Sequence, residues 1–191
     1  SLSSLFRDEQ RNIVNAIMAT TLQAVEGSFR QVYELNYPTM YMMAAMRNPI
    51  PKILIITAEF VLNRDLIQLL QMDYISPDEL RKVVEEFKRL PVELDHSSFS
   101  IIAEASVLRK MKQLYENPFD LALWSRTEEI VRLLKLLDPG IVLWEAQNIF
   151  FRIAKARIVE AVQKAERGDA EAGEWIAHTI RLGNQLGVKL N

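Results

Sequence analysis

Hydrophobic residues recur at helical spacing along most of this chain, and prolines and glycines interrupt the pattern at only a few places. From about Phe6 to Asn36, apolar residues return every three or four positions, and Asp8 and Glu9 stand in the first turn, where the helix dipole favours anions. Pro38 is expected to end this helix. Because no segment shows a convincing strand pattern, the sequence predicts an all-α fold.

Proline and capping residues predict where the next two helices begin and end. After a short Met-rich piece, Met40 to Arg47, a second helix is expected to start beyond Pro51 and to run to about Met72. Ser76-Pro77-Asp78-Glu79 then supplies an N-cap serine, a proline at the first helical position and a glutamate at the third. This third helix should end near Leu90-Pro91.

In the second half of the chain, proline, glycine and capping residues again predict the helix boundaries. A fourth helix is expected from Ser97 or Ser98 to Glu116, a fifth from the Asp120 cap to the Asp138-Pro139-Gly140 turn, and a sixth from Val142 to Arg167. Gly168 and Asp169 then separate the sixth helix from a last one that ends near Leu186-Gly187.

About seven helices with short connections predict an array of mostly antiparallel neighbours without a sheet. We expect one all-helical domain over residues 1–191, and residues 91–100, the longest polar interval in the middle of the chain, are the candidate subdivision.

Composition narrows the classes of protein that the chain fits. It has no cysteine, which excludes disulfides and thiolate chemistry, and its 23 basic residues are interleaved with 25 acidic ones, so nucleic acid is not an expected partner. The most apolar stretch, Ile50 to Leu62, is too short to span a bilayer. We therefore expect a soluble, cytoplasmic protein without a membrane partner. The opening Ser1–Ser4, without Met or leader, resembles that of an excised fragment, which suggests a C-terminal piece of a larger protein.

The residue patterns that mark common active sites are missing from the sequence. Neither His96 nor His178 has a second metal ligand suitably spaced on its helix. Glu174, four residues before His178, is expected to form an ion pair with it or to belong to a solvated helix face. The acidic pair Glu128-Glu129 is expected to face solvent. There is no nucleophile elbow and no phosphate-binding glycine loop. We predict no catalytic residue, no metal site and no cofactor.

Two helical segments carry polar residues within apolar sequence, and these are the candidate contact residues. Glu59 and Asn63 lie four positions apart beside Arg64, which favours a polar network between helices. Trp144, Gln147 and Asn148 form the second group. They fit a hydrogen-bond network between packed helices or, alternatively, a surface for a ligand or a neighbouring domain, because aromatic rings and amides also suit carbohydrate hydroxyls.

The methionine cluster of residues 40–46 also allows two interpretations. Filling of the core is the favoured one, and an adaptable binding face left bare by a lost domain contact is the other.

Several segments resemble one known family. They are Ser4–Arg11, Ala58–Arg64, Val92–Asp95 and Leu143–Asn148, followed by Leu-Gly at positions 186 and 187. Together they resemble the helical C-terminal domain of unknown function attached to family 57 glycoside hydrolase-like proteins, and the similarity extends over nearly the whole chain.

The resemblance implies a parent polypeptide of the α-amylase or α-mannosidase type, with a distorted β/α barrel upstream that carries its catalytic Glu and Asp. No position here matches the motifs around those residues, so none is carried over. The expected role is an accessory domain that packs on the catalytic domain of the same polypeptide and shapes its glycan cleft. The alternative is a free-standing helical module for protein–protein interaction. A self-contained enzyme is disfavoured.

Overall fold

All the regular secondary structure in the described part of the chain is helical. The computed structural model describes residues 2–188, with side chains from residue 9 onward. Over this range it has seven α-helices and no strand, which confirms the predicted fold class. The helices are α1 (Leu2–Ala45), α2 (Lys52–Gln71), α3 (Pro77–Arg89), α4 (His96–Glu116), α5 (Leu121–Leu137), α6 (Trp144–Glu166) and α7 (Ala170–Leu186).

Most helix ends follow the capping residues that the sequence offered. Asp120 accepts from the backbone N–H of Leu123 at 2.9 Å, and Asp169 accepts from that of Ala172 at 3.2 Å. Gly168 and Gly187 follow α6 and α7 with positive φ angles of 90° and 75°, which only glycine adopts without strain. α4 begins at His96, slightly before the expected start at Ser97 or Ser98, and Asp95 is its N-cap, whose carboxylate accepts from the backbone N–H of Ser98.

The prediction that Pro38 ends the first helix is wrong, since α1 continues through it to Ala45. Proline lacks an N–H and costs one backbone hydrogen bond in a helix interior. Tyr33, Tyr37 and Tyr41 offset that loss, because their rings follow one another along this turn at centroid distances of 5.6 and 6.2 Å. Met40, just beyond the proline, is fully buried.

The chain divides into two compact units. The first consists of residues 1–62 and 89–93, and the second of residues 63–88 and 94–191. One boundary, between Glu93 and Leu94, falls inside the predicted interval of residues 91–100, and the other two fall within α2 and α3. Whether the chain behaves as one domain stays a prediction.

The large hydrophobic core lies in the second unit, where α4, α5, α6 and α7 pack against one another. Its most bulky fully buried members are Trp124, Trp175, Phe99, Phe150 and Met111. Trp124 forms edge-to-face contacts with Trp175 at 5.6 Å and with Phe150 at 6.2 Å. Such aromatic pairs add to the stability that burial alone provides.

The backbone carbonyl of Pro118, in the turn between α4 and α5, is the polar centre of this core. The indole N–H groups of Trp124 and Trp175 both donate to it. Tryptophan is stable inside a core only when its N–H has a partner, and here one oxygen serves two indoles with its two lone pairs. The turn is thereby joined to α5 and α7 at a single atom.

Two cations hold the C-terminal end of α2 against α4. Arg109 donates to the carbonyl oxygens of Leu70 and Met72 at 2.8 and 3.2 Å. The ammonium group of Lys110, whose residue is only 2% exposed, donates to the carbonyl of Asp73. The last carbonyls of a helix have no partners within it, so these side chains satisfy groups that the helix leaves open.

We expect Trp175→Phe to lower the free energy of unfolding by about 1–3 kcal/mol, because it removes one indole donor and leaves a small cavity. Urea unfolding followed by far-UV circular dichroism measures the change. Trp144→Phe is the matched control, since Trp144 is exposed and its substitution should change stability by less than about 0.5 kcal/mol. Equal losses in both variants would show that the shared carbonyl does not matter.

Two glycines of α7 should respond to alanine in opposite directions. A Cβ at Gly183 would lie 3.0 Å from Phe150 Cζ, a fully buried ring with little room to move, whereas one at Gly173 would meet nothing within 4 Å. We expect Gly183→Ala to destabilise the chain by about 1–2 kcal/mol through overpacking. Gly173→Ala should stabilise it by about 0.5–1 kcal/mol through helix propensity. Thermal melting of both variants tests this contrast, and stabilisation by both would contradict it.

Candidate functional site

The polar candidates of α2 contact the chain segment that precedes α4. In the first unit, the backbone N–H of Glu93 donates to Glu59 Oε1 at 3.0 Å. In the second unit, the backbone N–H of Asp95 donates to Asn63 Oδ1 at 2.7 Å. Both side chains are half-buried, while Arg64 is exposed. The contacts to Glu93 and Asp95 show that Glu59 and Asn63 each hold a backbone group of this segment.

Gln147, the half-buried member of the second candidate group, joins α6 to the end of α7. Its side-chain amide N–H donates to the carbonyl of Leu186 at 2.6 Å. Leu186 is the last residue of α7, so Gln147 satisfies one of the carbonyls that a helix end leaves open. This contact gives Gln147 a structural role.

The other two members of that group are exposed on α6. Trp144, the first residue of the helix, is 63% exposed, and Asn148 is exposed one turn later. Arg152, exposed a further turn along, holds its guanidinium 5.4 Å from the ring centre of Tyr115 on α4. Sequence analysis missed Tyr115 and Arg152, because their pairing depends on the packing of α4 against α6. The four side chains form the candidate site, here called the α6 face.

A Glu–His–Arg cluster joins α5 to α7. Glu128 Oε2 lies 2.8 Å from His178 Nδ1, and Glu128 Oε1 accepts from Arg181 Nε at 2.8 Å. His178 therefore pairs with Glu128, which packing brings to the imidazole from 50 residues away, whereas Glu174 is exposed, as the solvated-face alternative predicted. A carboxylate that orients a histidine belongs to many nucleophilic sites. Here the neighbouring hydroxyl, Thr179, is buried and donates to a backbone carbonyl, so the cluster has no available nucleophile.

Glu129 points to a different side of α5 and pairs with two arginines. Its carboxylate accepts from Arg132 at 2.7 Å and from Arg81 of α3 at 2.7 Å. The hydrogen bonds from Arg132, and then from Arg81, outweigh the effect of burial and lower the pKa of Glu129 to about 2. The expectation that Glu128 and Glu129 face solvent is wrong, because adjacent helical residues point about 100° apart and so reach different neighbouring helices.

The pKa of Lys110 is also perturbed. Burial lowers the pKa of its ammonium group, and the nearby charges of Arg109 and Arg126 lower it further. A lysine of depressed pKa is a candidate nucleophile. Its nitrogen, however, is directed at the carbonyl of Asp73 inside the core and does not face a cleft, so we assign it a structural role.

The first unit exposes apolar side chains along α1. Large hydrophobic residues of this helix that are more than half exposed include Ile13, Val14, Ile17, Met18 and Leu22. The methionine cluster fits each interpretation in part. Met40 is buried and fills the core, whereas Met42 and Met46 are exposed. Sequence analysis identified the helical periodicity of α1 but not the exposure of this surface.

Pockets and metal-binding groups do not add a site. An apolar hollow of the first unit, lined by residues such as Met40, Ile50 and Pro91, has an empty volume of about 130 Å³ including open solvent, well below that of usual ligand pockets. Among residues 2–188 no three His, Asp or Glu side chains are grouped as metal ligands would be. Within the same range no helix is both long and apolar enough to cross a bilayer.

Comparisons with known proteins give no match: no family model, no curated protein and no solved structure is similar to this chain. A functional proposal therefore draws on the resemblance of the sequence segments and on the exposed surfaces.

We expect Glu129→Gln to destabilise the chain by about 1–2 kcal/mol at pH 7, because the carboxylate is largely buried while its arginine partners are partly solvated. The folded pKa of about 2 lies below the ordinary 4.5, so the stabilisation is complete above pH 4.5 and is lost as the pH falls towards 2. Urea unfolding across this range should show the two proteins converging at low pH.

Glu160→Gln is the matched control for this variant. Glu160 also pairs with two cations, Lys164 at 2.9 Å and Arg157 at 3.5 Å, but all three side chains are exposed. Exposed pairs contribute little, so no pH-dependent loss comparable to that of Glu129→Gln is expected. A pH-independent difference for Glu129→Gln would contradict the assignment.

Proposed function

We propose that this chain is a non-catalytic accessory domain of a family 57 glycoside hydrolase-like polypeptide. In this proposal it packs on the catalytic β/α barrel of the same polypeptide through the exposed side of α1, and it shapes the rim of the glycan cleft. The resemblance of the four sequence segments supports the choice of parent. The surface of α1 supports the docking role.

The observation that carries the docking proposal is an exposed helical segment without charge. Residues 12–25 contain no Asp, Glu, Lys or Arg, although every described side chain from residue 9 to 25 is exposed. A helix that faces water on all sides usually carries charged residues, and contiguous exposed apolar surface of this kind marks interaction sites. The segment extends about 21 Å along the helix, which is enough to lie across a neighbouring domain.

The hydroxyl groups of this segment are satisfied within the helix. Thr20 donates to the carbonyl of Ala16 at 3.0 Å, and Thr21 donates to that of Ile17 at 2.9 Å. Burial of an unbonded hydroxyl in an interface is costly, and these bonds reduce that cost. The segment is therefore suited to an apolar contact.

The alternative function, a free-standing module that binds a partner protein, uses the same surface. The two differ in whether the barrel is covalently attached. An immunoblot of source cells with an antibody against this chain separates them, because a band far above 22.0 kDa supports the accessory domain and a band near 22.0 kDa overturns it.

We expect Ile17→Asp to weaken docking at least tenfold. The test expresses the rest of the parent polypeptide as a separate chain and measures its association with this one by isothermal titration calorimetry. A carboxylate buried in an apolar interface without a partner is strongly unfavourable. Because Ile17 is 61% exposed in this chain, the variant should keep its thermal stability.

Ile101→Asp is the matched control, since Ile101 is also a highly exposed isoleucine but belongs to α4, which is not part of the proposed surface. It should dock as the unmodified chain does. Unchanged docking of Ile17→Asp, or equal loss in both variants, would overturn the role of α1.

A further inference from the structure

The α6 face combines an aromatic plane, an amide and a guanidinium on one side of a helix. Trp144, Asn148 and Arg152 succeed each other every four residues, so each lies about one turn beyond the last. Tyr115 of α4 adds a second aromatic ring beneath the Arg152 guanidinium, and it too is exposed. The row lies entirely within the second unit.

Hydrogen-bonding groups of this face have no partner among the side chains and backbone that the structure describes. Within residues 9–188, neither the indole N–H of Trp144 nor the side-chain amide of Asn148 makes a hydrogen bond. The other two tryptophans are buried and donate to the carbonyl of Pro118. Trp144 is thus the only tryptophan of the chain whose large apolar ring and N–H are both available to a ligand.

A glycan chain matches these groups. Sugar rings present apolar C–H surfaces that stack on aromatic planes, and their hydroxyls both donate and accept hydrogen bonds. An indole ring suits the first property, and an asparagine amide, which has donors and an acceptor, suits the second. The fork of guanidinium donors, held in place over Tyr115, adds directional contacts to hydroxyl oxygens.

We infer that the α6 face is a binding surface for a glycan chain, with Trp144 as the stacking platform and Asn148, Arg152 and Tyr115 as flanking contacts. The inference rests on the proposed function for the choice of an α-glucan, and on the α6 face for the rest. It is a direct property of this chain and does not require the catalytic barrel.

The length of the row predicts a preference for oligosaccharides. Eight residues separate Trp144 from Arg152, which corresponds to about 12 Å along the helix. One sugar ring covers only part of that distance, so maltoheptaose should bind at least tenfold more tightly than glucose. A stacking site confined to Trp144 would give nearly equal affinities.

Binding of maltoheptaose, cellohexaose and glucose to the whole 191-residue chain tests the inference. Tryptophan fluorescence reports the site selectively, because Trp124 and Trp175 are buried. Isothermal titration calorimetry then compares the chain with its Trp144→Ala variant. We expect a fluorescence change on addition of maltoheptaose, and at least a tenfold loss of affinity in Trp144→Ala with unchanged thermal stability.

The chain contains a matched control for the aromatic–arginine pair. Arg126 lies 4.5 Å from the ring centre of exposed Tyr74, which reproduces the pairing of Arg152 with Tyr115 without a tryptophan or asparagine row beside it. Tyr115→Ala should weaken maltoheptaose binding severalfold, and Tyr74→Ala should not. Equal effects of both variants would show that binding is not confined to the α6 face.

Outcomes for the two proposals are distinguishable. Absence of Trp144-dependent binding to any of the probes overturns the glycan surface, while the docking of α1 remains testable by its own variants. Trp144-dependent binding of cellohexaose but not of maltoheptaose supports the glycan surface and counts against an α-glucan-acting parent. Binding of maltoheptaose that survives Trp144→Ala overturns the assignment of the site.

Discussion

Two buried indoles share one backbone oxygen, the carbonyl of Pro118, and the packing of the second unit is arranged around that contact. A tryptophan brings much apolar surface into a core, but its N–H must find an acceptor there. A proline supplies an acceptor without adding a backbone donor that would need a partner of its own. Phe150 then fills the space beside Trp124, and the absence of a side chain at Gly183 lets α7 approach that ring. The burial of two large side chains, the hydrogen bonding of their N–H groups and the close approach of α7 therefore all depend on the same region of the core.

The two units handle apolar surface differently. The second unit has a contiguous apolar core, and Glu129 of α5 pairs there with Arg81 of α3 and with Arg132 of its own helix. The first unit leaves a long, uncharged part of α1 exposed. This contrast suits the proposed accessory role, because one unit contains a closed core while the other exposes an uncharged helical surface. The proposed roles follow this division, with domain contact assigned to α1 and ligand contact to α6.

Features set by local chemistry were predictable from the sequence, and features set by packing were not. The helix-capping residues act within a few positions of their own place in the sequence, so the local pattern is sufficient to predict these helix ends. They are Asp120, Asp169 and the two glycines after α6 and α7. The passage of α1 through Pro38 coincides with the burial of Met40 and with a row of three tyrosine rings in contact, neither of which is visible in the local sequence pattern. Long-range pairs could not be predicted either. His178 has a glutamate four residues away in the sequence, but it pairs with Glu128, which is 50 residues away in the sequence. For the candidate site, Trp144 and Asn148 stood out as polar and aromatic interruptions, whereas Tyr115 and Arg152 become neighbours only when α4 and α6 pack.

The buried ammonium group of Lys110 has a consequence for chemical footprinting. Amine-reactive reagents modify lysines whose nitrogen is both accessible and unprotonated. Lys110 is closed off at the end of α2, so its labelling requires that end of the unit to open. Burial also lowers the pKa of this amine, so that once freed from its neighbours it regains the ordinary lysine affinity for protons. The labelling rate of Lys110, measured by mass spectrometry, therefore reports how often the contact between α2 and α4 opens. This measurement needs no introduced probe.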